Sequence, residues 1–595
     1  VVALSLKKTL NSDSGDVLLT EPKLKLELNQ AGAQPMVTAF TLTAPALQYL
    51  KAAQQFSSPQ PLMIALDRLA VGTTEKPLLT AKGSVKTLLS SDLAKQAHVL
   101  KDLDISLLLG GSALSGGKGQ QVDLKGSLAA DLAAQQATLS GLKLSAMGLT
   151  ISARQWQISK LDTAPALAGD LTLANFEPRA LLATLGIAVP ETSDATVLKS
   201  ASLNTQLSAT AKSAALQNLT LKLDDTTLQG ELAIRDFATA AVGFALKADR
   251  LDADRYLPPS AKPVAAAAAT PSSKAAADAV ELPVAALDNI NAQGTLEVAS
   301  LKLKNLKLAN VRLKLDGARG ASHRQQLSAS LYGGSADLAL SVAPGAKHAL
   351  RLGLNGINAG PLLKDFLNSD KLSGKGSLTV DVTTAGRTVG AVKRALNGNV
   401  AFNLLDGAVK GFNLGQIMRD GQALLTGQVA AASAAPSTDF AELRGAGVIS
   451  NGVLKSDQLT AKNPLLRLEG AGEIDLVQQT INYLAKPSVV NTASGQGGKE
   501  RVELTGLVVP IRITGDLFKP KVSIDWQSAL KQKAVEQLRE KLGVSEATVR
   551  EQREELRSRA KEEIGKGLLK LFGSKPAAPV TPAEPPASAA PPPAP

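Results

Sequence analysis

The stretch that decides the fold is LKLKNLKLANVRLKL, residues 301–315. Apolar and polar residues alternate along it, a pattern typical of a strand with one apolar and one polar face. The apolar positions change parity twice, once at Asn305 and once at Asn310. A slip of one residue turns every side chain over, so each asparagine is expected at a turn or bulge that restores the facing. The side chains expected on this one apolar face are Leu301, Leu303, Leu306, Leu308, Val311, Leu313 and Leu315.

The same alternation runs from about residue 23 to residue 524 and predicts a mainly β chain, a long meander of antiparallel strands. Some 20 to 25 strands spaced ~4.8 Å apart would reach roughly 100–120 Å. Several strands share an opening phrase of glycine, a small or polar residue and an apolar residue, which predicts a glycine in a tight turn before each strand. The glycines of this phrase are Gly83, Gly126, Gly169, Gly230, Gly294 and Gly376.

Breaks in the alternation divide the chain. Short helices are expected at 176–186, 361–367 and 388–396. Residues 258–282, rich in alanine and proline, predict a flexible linker between two halves of the β-rich body, residues 1–257 and 283–527. Residues 528–573 have a helical period with a narrow apolar stripe, which predicts an amphipathic helical segment that caps the sheet or touches a membrane or partner. Residues 574–595 predict a disordered tail.

Composition excludes several classes of function. The 595 residues contain no cysteine, which excludes disulfides and cysteine-bound metals. The net charge of +12 is spread along the polar positions of the strands, so nucleic-acid binding is not expected. Aromatic residues make up only 3% of the chain, so the apolar surface is aliphatic. No stretch approaches the ~20 apolar residues that cross a bilayer. Val1 begins inside the β-rich sequence, which predicts that the sequence starts within a longer protein.

Side chains that carry catalysis or bind metals are sparse. The three histidines lie far apart, without a spacing suited to a metal. They are His98, His323 and His348. Residues 110–118 are rich in glycine, but their spacing differs from that of a phosphate-binding loop and predicts a hairpin loop. Asp224 and Asp225 precede two threonines, as in a turn. We therefore expect no enzyme activity, no metal and no cofactor.

Seven phrases in order along the chain resemble those of the AsmA family of Gram-negative envelope proteins. The most specific is LNGNVAFNLLDGAVKG, residues 396–411. The others lie at 171–182, 221–226, 251–258, 330–334, 376–382 and 515–522. The resemblance implies an inner-membrane protein with an N-terminal anchor and a periplasmic β-rich body. It also implies a role in outer-membrane assembly and kinship with bridge-like lipid carriers, whose elongated, twisted sheets curl into an apolar trough. The anchor is missing from this sequence, so membrane attachment is expected of the longer protein.

The aliphatic face and the resemblance lead to one functional hypothesis, in which phospholipid is carried through the periplasm along an apolar groove. The alternative is a closed body like a β-sandwich, acting as a scaffold or regulator of protein targeting to the outer membrane by binding an envelope protein partner. Alternation leaves open whether the apolar face closes on itself or stays open to lipid.

Overall fold

The computed structural model describes residues 2–10, 13–30, 35–73, 77–112, 119–259, 277–282, 291–411, 413–417, 437–464, 466–489, 508–528 and 531. Within these residues, 29 strands join into one sheet. The chain is therefore mainly β, as the alternation predicts.

The sheet begins with sixteen strands. They are β1 (Val2–Leu10), β2 (Val17–Gln30), β3 (Met36–Thr43), β4 (Ala46–Leu50), β5 (Gln55–Ser57), β6 (Leu62–Gly72), β7 (Pro77–Asp92), β8 (Ala97–Gly110), β9 (Gln120–Asp131), β10 (Gln136–Ala146), β11 (Leu149–Ser159), β12 (Ala166–Phe176), β13 (Ala201–Thr210), β14 (Ala214–Leu223), β15 (Thr226–Asp236) and β16 (Ala241–Asp252).

Thirteen strands follow in the second half of the chain. They are β17 (Ala292–Leu303), β18 (Leu306–Gly317), β19 (His323–Leu331), β20 (Gly334–Ala343), β21 (Lys347–Asn358), β22 (Lys375–Ala385), β23 (Asn397–Lys410), β24 (Ser437–Ser450), β25 (Val453–Lys462), β26 (Leu466–Asp475), β27 (Thr480–Val489), β28 (Ile511–Asp516) and β29 (Pro520–Ile524).

Three helices lie close to where the sequence predicts them. They are α1 (Pro178–Thr184), α2 (Ala359–Leu367) and α3 (Val389–Arg394). Pro178 occupies the first turn of α1, where its missing N–H leaves no intrahelical bond unmade. The Thr388 side chain caps α3 by accepting a hydrogen bond from the Ala391 N–H at 3.2 Å. Each helix fills a connection between neighbouring strands.

The strands follow one another across the sheet almost entirely in chain order. From β7 to β29 each strand pairs with the next. Near the start, the short strands β3 and β4 lie end to end and both pair with β2. On their other side β3 pairs with β6 and β4 pairs with β5, and both β6 and β5 pair with β7. Among the described strands, β1 and β29 each have one partner, so the sheet has two edges.

One pairing departs from the antiparallel meander: β16 and β17 run parallel, with Leu251 opposite Leu301. A parallel pair needs a connection that returns to the starting end of the strands, and residues 253–291 make that return. The predicted linker falls in this connection, mostly outside the described residues. Its last part, residues 277–282, lies against the connection between β22 and β23. There the Leu282 N–H donates to the Arg387 carbonyl at 2.7 Å, and Lys393 pairs with Asp278 at 2.9 Å.

Both asparagines of the 301–315 stretch adopt left-handed backbone conformations, with φ of 63° at Asn305 and 52° at Asn310. Lys304 and Asn305 form the two-residue turn between β17 and β18, and positive φ at both positions suits such a hairpin. At Asn310 the register against β19 shifts between Ala309 and Arg312, which is a bulge. The predicted parity resets are confirmed.

The same kind of bulge recurs along the sheet. Asp102, Gly141, Asn218 and Gly356 also have positive φ, and each lies at a shift of register inside a strand. At each of these positions the aliphatic residues change parity, so the bulge returns them to the same face. Bulges also bend a strand and increase its twist.

The prediction for the recurring glycine phrase is wrong. Its six glycines lie inside strands, not in the turns before them. A Cβ at Gly230 would stand 1.9 Å from the Ala245 carbonyl oxygen of β16, and one at Gly83 would stand 2.0 Å from the Ser106 carbonyl oxygen of β8. Glycine is required at these two positions because the neighbouring backbone approaches too closely for any side chain.

The sheet is curled. Val409 on β23 and Ile513 on β28 are five strand spacings apart, about 24 Å in a flat sheet. Both nevertheless line one cavity of about 270 Å³. Opposite walls of the inner side face each other there, so this end of the sheet forms a trough.

The bulge at Asn310 yields a prediction about stability. Asn310→Val should destabilise the protein by about 1–2 kcal/mol, because a β-branched residue is strained in the left-handed region. Asn310→Gly should leave stability nearly unchanged. The measurement is chemical denaturation followed by circular dichroism.

Lys314→Val, on the same strand but in ordinary extended backbone, is the matched control and should cost little. Equal stability of the Asn310→Val and Lys314→Val variants would show that the left-handed bulge does not constrain this strand.

Candidate functional site

The candidate site is the apolar face of the sheet. Residues directly opposite each other on paired strands point to the same face. One unbroken series of such pairs crosses from β1 to β18. In order it consists of Leu4, Leu24, Leu42, Ile64, Val85, Ile105, Leu124, Leu144, Ile151, Leu173, Leu203, Leu221, Leu228, Ala248, Val298 and Val311.

A second series continues the same face toward the other edge of the sheet. It starts one pair further along β17 and β18 and reaches β23. Its members are Leu296, Leu313, Leu327, Leu338, Leu352, Val380 and Val400. The two series overlap on β17 and β18, so the aliphatic surface is continuous from β1 to β23. We call this surface the inner face.

The seven residues predicted from the sequence all lie on the inner face, on the hairpin of β17 and β18. Leu301 is opposite Leu308, and Leu303 is opposite Leu306. Val311, Leu313 and Leu315 continue the same face beyond the bulge. Leu303 is 38% exposed and Val311 only 4%. The other five are half-buried.

Burial on the inner face comes mainly from neighbouring strands. Val298 and Val311 are buried in a cluster whose other members lie on β15 to β19, such as Leu228 and Leu327. All the described strands belong to one sheet, so no second sheet among them packs on this cluster. A face that is half-buried by its lateral neighbours differs from the dry core of a closed sandwich, where side chains are covered from the opposite side.

Short elements at the two rims reach over parts of the inner face. At one rim, Leu362 of α2 packs on a cluster containing Leu331 and Ile357. At the other, Leu282 packs on Val342 and Ala346. These contacts narrow the trough at β19 to β21 from both sides.

The opposite face of the sheet carries the charged residues. Arg312 and Lys247 both pair with Glu297, at 3.0 and 3.4 Å. Hydrogen bonding from Lys247 is the main cause that lowers the pKa of Glu297. Arg351 and Asp381 pair across β21 and β22 at 3.0 Å. Basic residues on this face are thus balanced locally by acidic ones, in keeping with a solvated outer surface.

A polar network, which we call the clasp, joins the two halves of the chain at one rim. The Arg255 guanidinium donates to Asp194 at 2.8 Å and to Asp225 at 2.7 Å. Next to it, Asp224 accepts from the Tyr256 hydroxyl at 2.8 Å and from the Leu198 N–H at 2.7 Å. Asp224 and Asp225 are in or beside the turn after β14, as predicted.

The clasp extends into the second half of the chain through Asp254. Its carboxylate accepts hydrogen bonds from the backbone N–H groups of Lys304 and Asn305, the latter at 2.9 Å. These are the residues of the hairpin turn that carries the predicted inner-face leucines. The sequence does not reveal this network, because the periodicity of strands says nothing about which loops meet at a rim.

Electrostatics in the clasp favour the charged forms. Hydrogen bonds from the Thr196 hydroxyl and N–H, and then from Arg255, hold the pKa of Asp194 well below its usual range. Hydrogen bonds to Asp194 and Asp225 raise the pKa of Arg255. Burial pushes the pKa of Asp224 upward, but the N–H groups of Leu198 and its neighbours, with the Tyr256 hydroxyl, outweigh it and lower that pKa.

The histidines do not form a site. His98 is hydrogen-bonded to Ser91 at 2.5 Å and lies on β8, whereas His323 and His348 lie on β19 and β21. His323 is 1% exposed, and both its ring nitrogens lack a hydrogen-bond partner. Among the described residues no group of three potential metal ligands is found. Most of the glycine-rich loop at 110–118 lies outside the described residues.

Comparison with known proteins identifies relatives of the chain. A sequence model of the AsmA family matches residues 9–459. The chain is 23% identical to Protein AsmA of Escherichia coli (strain K12) over 262 residues, which is 43% of this chain and 42% of that protein. The aligned region thus spans less than half the length of this curated relative. No helix in the described part of the chain is both long and apolar enough to span a membrane.

The clasp yields a prediction about acid stability. Because the pKa of Asp194 is lower in the folded protein than in the unfolded chain, its stabilising contribution is complete above about pH 4 and is lost as the pH falls further. Arg255→Met should lower the melting temperature at pH 7 and make its decline below pH 4 shallower. Differential scanning calorimetry across this pH range is the measurement.

Arg351→Met is the control, because it breaks an arginine–aspartate pair that is far more exposed, 76% and 49% against 27% and 31% for Arg255 and Asp194. Surface pairs of this kind contribute only about 0–1 kcal/mol. If both variants melted alike at every pH, the clasp would have no special role in holding the rim.

Proposed function

The chain belongs to the AsmA family, and from this membership and the continuous inner face we propose that it carries phospholipid along its apolar trough. The family consists of envelope proteins. In this proposal the chain is a non-enzymatic part of a periplasmic body that supports outer-membrane assembly, held at the inner membrane by an anchor in the longer protein.

The observation that carries the proposal is the aliphatic inner face, continuous from β1 to β23 through two overlapping series of paired residues. Moving a phospholipid through water exposes on the order of 30 acyl carbons, which cost about 0.8 kcal/mol each and roughly 25 kcal/mol together. A continuous aliphatic surface removes much of this cost at every position along the path. If a few strands along the path carried polar side chains on this face, part of the free-energy cost of exposing the acyl chains would return.

Exposure on the inner face fits this role. A phospholipid needs a surface that is apolar and still accessible, and the leucines of β17 and β18 are half-buried with Leu303 exposed. The curl seen at β23 to β28 supplies walls on either side of an acyl chain. The headgroup would remain in water along the open side of the trough.

The length of the sheet also supports carriage over distance. At ~4.8 Å per strand, the described sheet extends roughly 125 Å along its curved path. A binding site for a single lipid would need only a few strands. The remaining strands are explained if lipid moves along the sheet.

The proposal is tested by replacing Leu306 and Leu313 with aspartate. Each side chain lies on the inner face, and a carboxylate there opposes acyl chains because burying its charge is costly. Native mass spectrometry of the purified protein should show several phospholipids bound to the wild type and no more than one bound to the double variant.

The matched control is Ala309→Asp with Gln326→Asp, which places the same charges on the outer face of β18 and β19. This variant should retain its lipid, and circular dichroism should show both variants folded. A wild-type protein that purifies without lipid but with a bound protein would instead favour the scaffold alternative.

A further inference from the structure

The inner face changes character between β23 and β28. Four glycines take positions there that carry leucine or valine on most other strands: Gly445, Gly447, Gly470 and Gly472. A Cβ at Gly445 would lie 2.4 Å from the Phe402 ring, and Cβ atoms at Gly470 and Gly472 would lie 2.8 and 2.7 Å from the Tyr483 ring. The two aromatic rings therefore lie flat on glycine backbone and leave space above them.

That space consists of two adjoining cavities of about 270 and about 260 Å³, which share Leu459, Tyr483 and Ile513 as walls. Together they extend along β26 from Leu466 to Ile474. Eight residues of strand span about 27 Å. One leaflet of a bilayer is about 15 Å of hydrocarbon, half of the ~30 Å core, so this space is long enough for one acyl chain.

The walls offer almost no polar group to a ligand. The Tyr483 hydroxyl donates to Ser456 Oγ at 3.3 Å, and Ser456 in turn donates to the Ala446 carbonyl at 2.6 Å. Because these hydroxyls satisfy each other and the backbone, an apolar occupant leaves none of them without a partner. Leu414 and Ile511 close the space at one rim, in a cluster against which Trp526 packs.

We propose that this end of the trough is a partly enclosed pocket for a single acyl chain, with the headgroup outside. The proposal deepens the proposed function, since it names the place where carried lipid is held. The sheet curls enough here for β23 and β28 to face each other, so the pocket has a wall on either side of the chain. A single acyl chain is the occupant because the space is long, narrow and lined by aliphatic and aromatic carbon.

The two tryptophans of the sequence provide the test. Trp526 packs beside the pocket, whereas Trp156 lies on the inner face at β11, opposite Leu139. Stearic acid carrying two bromine atoms quenches tryptophan fluorescence on contact. Titrated into the full chain, it should quench Trp526 in the Trp156→Phe variant with saturable, one-to-one binding. It should quench Trp156 in the Trp526→Phe variant only at concentrations at least tenfold higher.

Ala461→Phe fills the pocket, because Ala461 lines the larger cavity. It should weaken the binding seen at Trp526 at least tenfold. The matched control is Ala209→Phe, the same change on the inner face at β13, where Ala209 lies opposite Leu167, and it should leave that binding unchanged. Circular dichroism checks that both variants fold.

Equal quenching of the two tryptophans, or binding at Trp526 that Ala461→Phe does not alter, would overturn the pocket and leave the trough proposal intact. Conversely, the double aspartate variant at Leu306 and Leu313 should keep one-to-one quenching of Trp526. Loss of that quenching in the aspartate variant would show that the pocket does not bind an acyl chain independently of the inner face at β17 and β18, and would also overturn the proposal.

Discussion

The whole structure depends on keeping aliphatic side chains on one face of a single sheet. Side chains along a strand alternate between its two faces, so an insertion of one residue moves the following leucines from the inner face to the solvated outer face. Left-handed residues such as Asn310 and Asn218 correct each slip locally. Because the correction is made within each strand, strands can be added without disturbing those already in place.

This arrangement gives the molecule a stability unlike that of a globular core. Each strand buries its aliphatic residues chiefly against its two neighbours, as Val298 does between β16 and β18. Stability is then close to a sum of neighbour terms, as in repeat proteins. Such a sheet remains folded while one side of its apolar surface stays accessible, which a closed core does not allow. As a consequence, each junction between segments of the sheet needs stabilising contacts of its own.

The junction between the halves shows how this is done. The parallel pairing of β16 and β17 continues the sheet, while Asp254 holds the turn at Lys304 and Asn305. Lys302 adds an ion pair to Asp252 at 3.3 Å across the same two strands. The inner face passes this point without a gap, since Ala248 lies opposite Val298. A covalent linker alone would not align the two apolar faces.

How much of this the sequence predicts depends on the range of the interaction. Alternation and the two asparagines are local signals, and they place all seven residues of the 301–315 stretch on one face. The three helices follow from proline, glycine and capping residues in the same local way. The prediction from the glycine phrase was wrong because Gly83 and Gly230 are required by a carbonyl oxygen of the neighbouring strand that leaves no room for a Cβ. The sequence of one strand does not reveal that contact. The direction of β17, the clasp around Arg255 and the pocket around Tyr483 depend on contacts between distant segments, which periodicity does not encode.

A uniform surface and an enclosed end would have different consequences for a carried lipid. Along the aliphatic series, neighbouring positions offer nearly the same contacts, so an acyl chain gains or loses little free energy from one strand to the next. Movement along such a surface is easy, but it has no preferred stopping point. At β23 to β28 the proposed pocket would have walls on both sides of the chain and would remove more carbon from water, which would lower the free energy there. An asymmetric trough of this kind would collect lipid at one end without any energy source of its own, and release would then require a partner or membrane that offers the chain a still better environment.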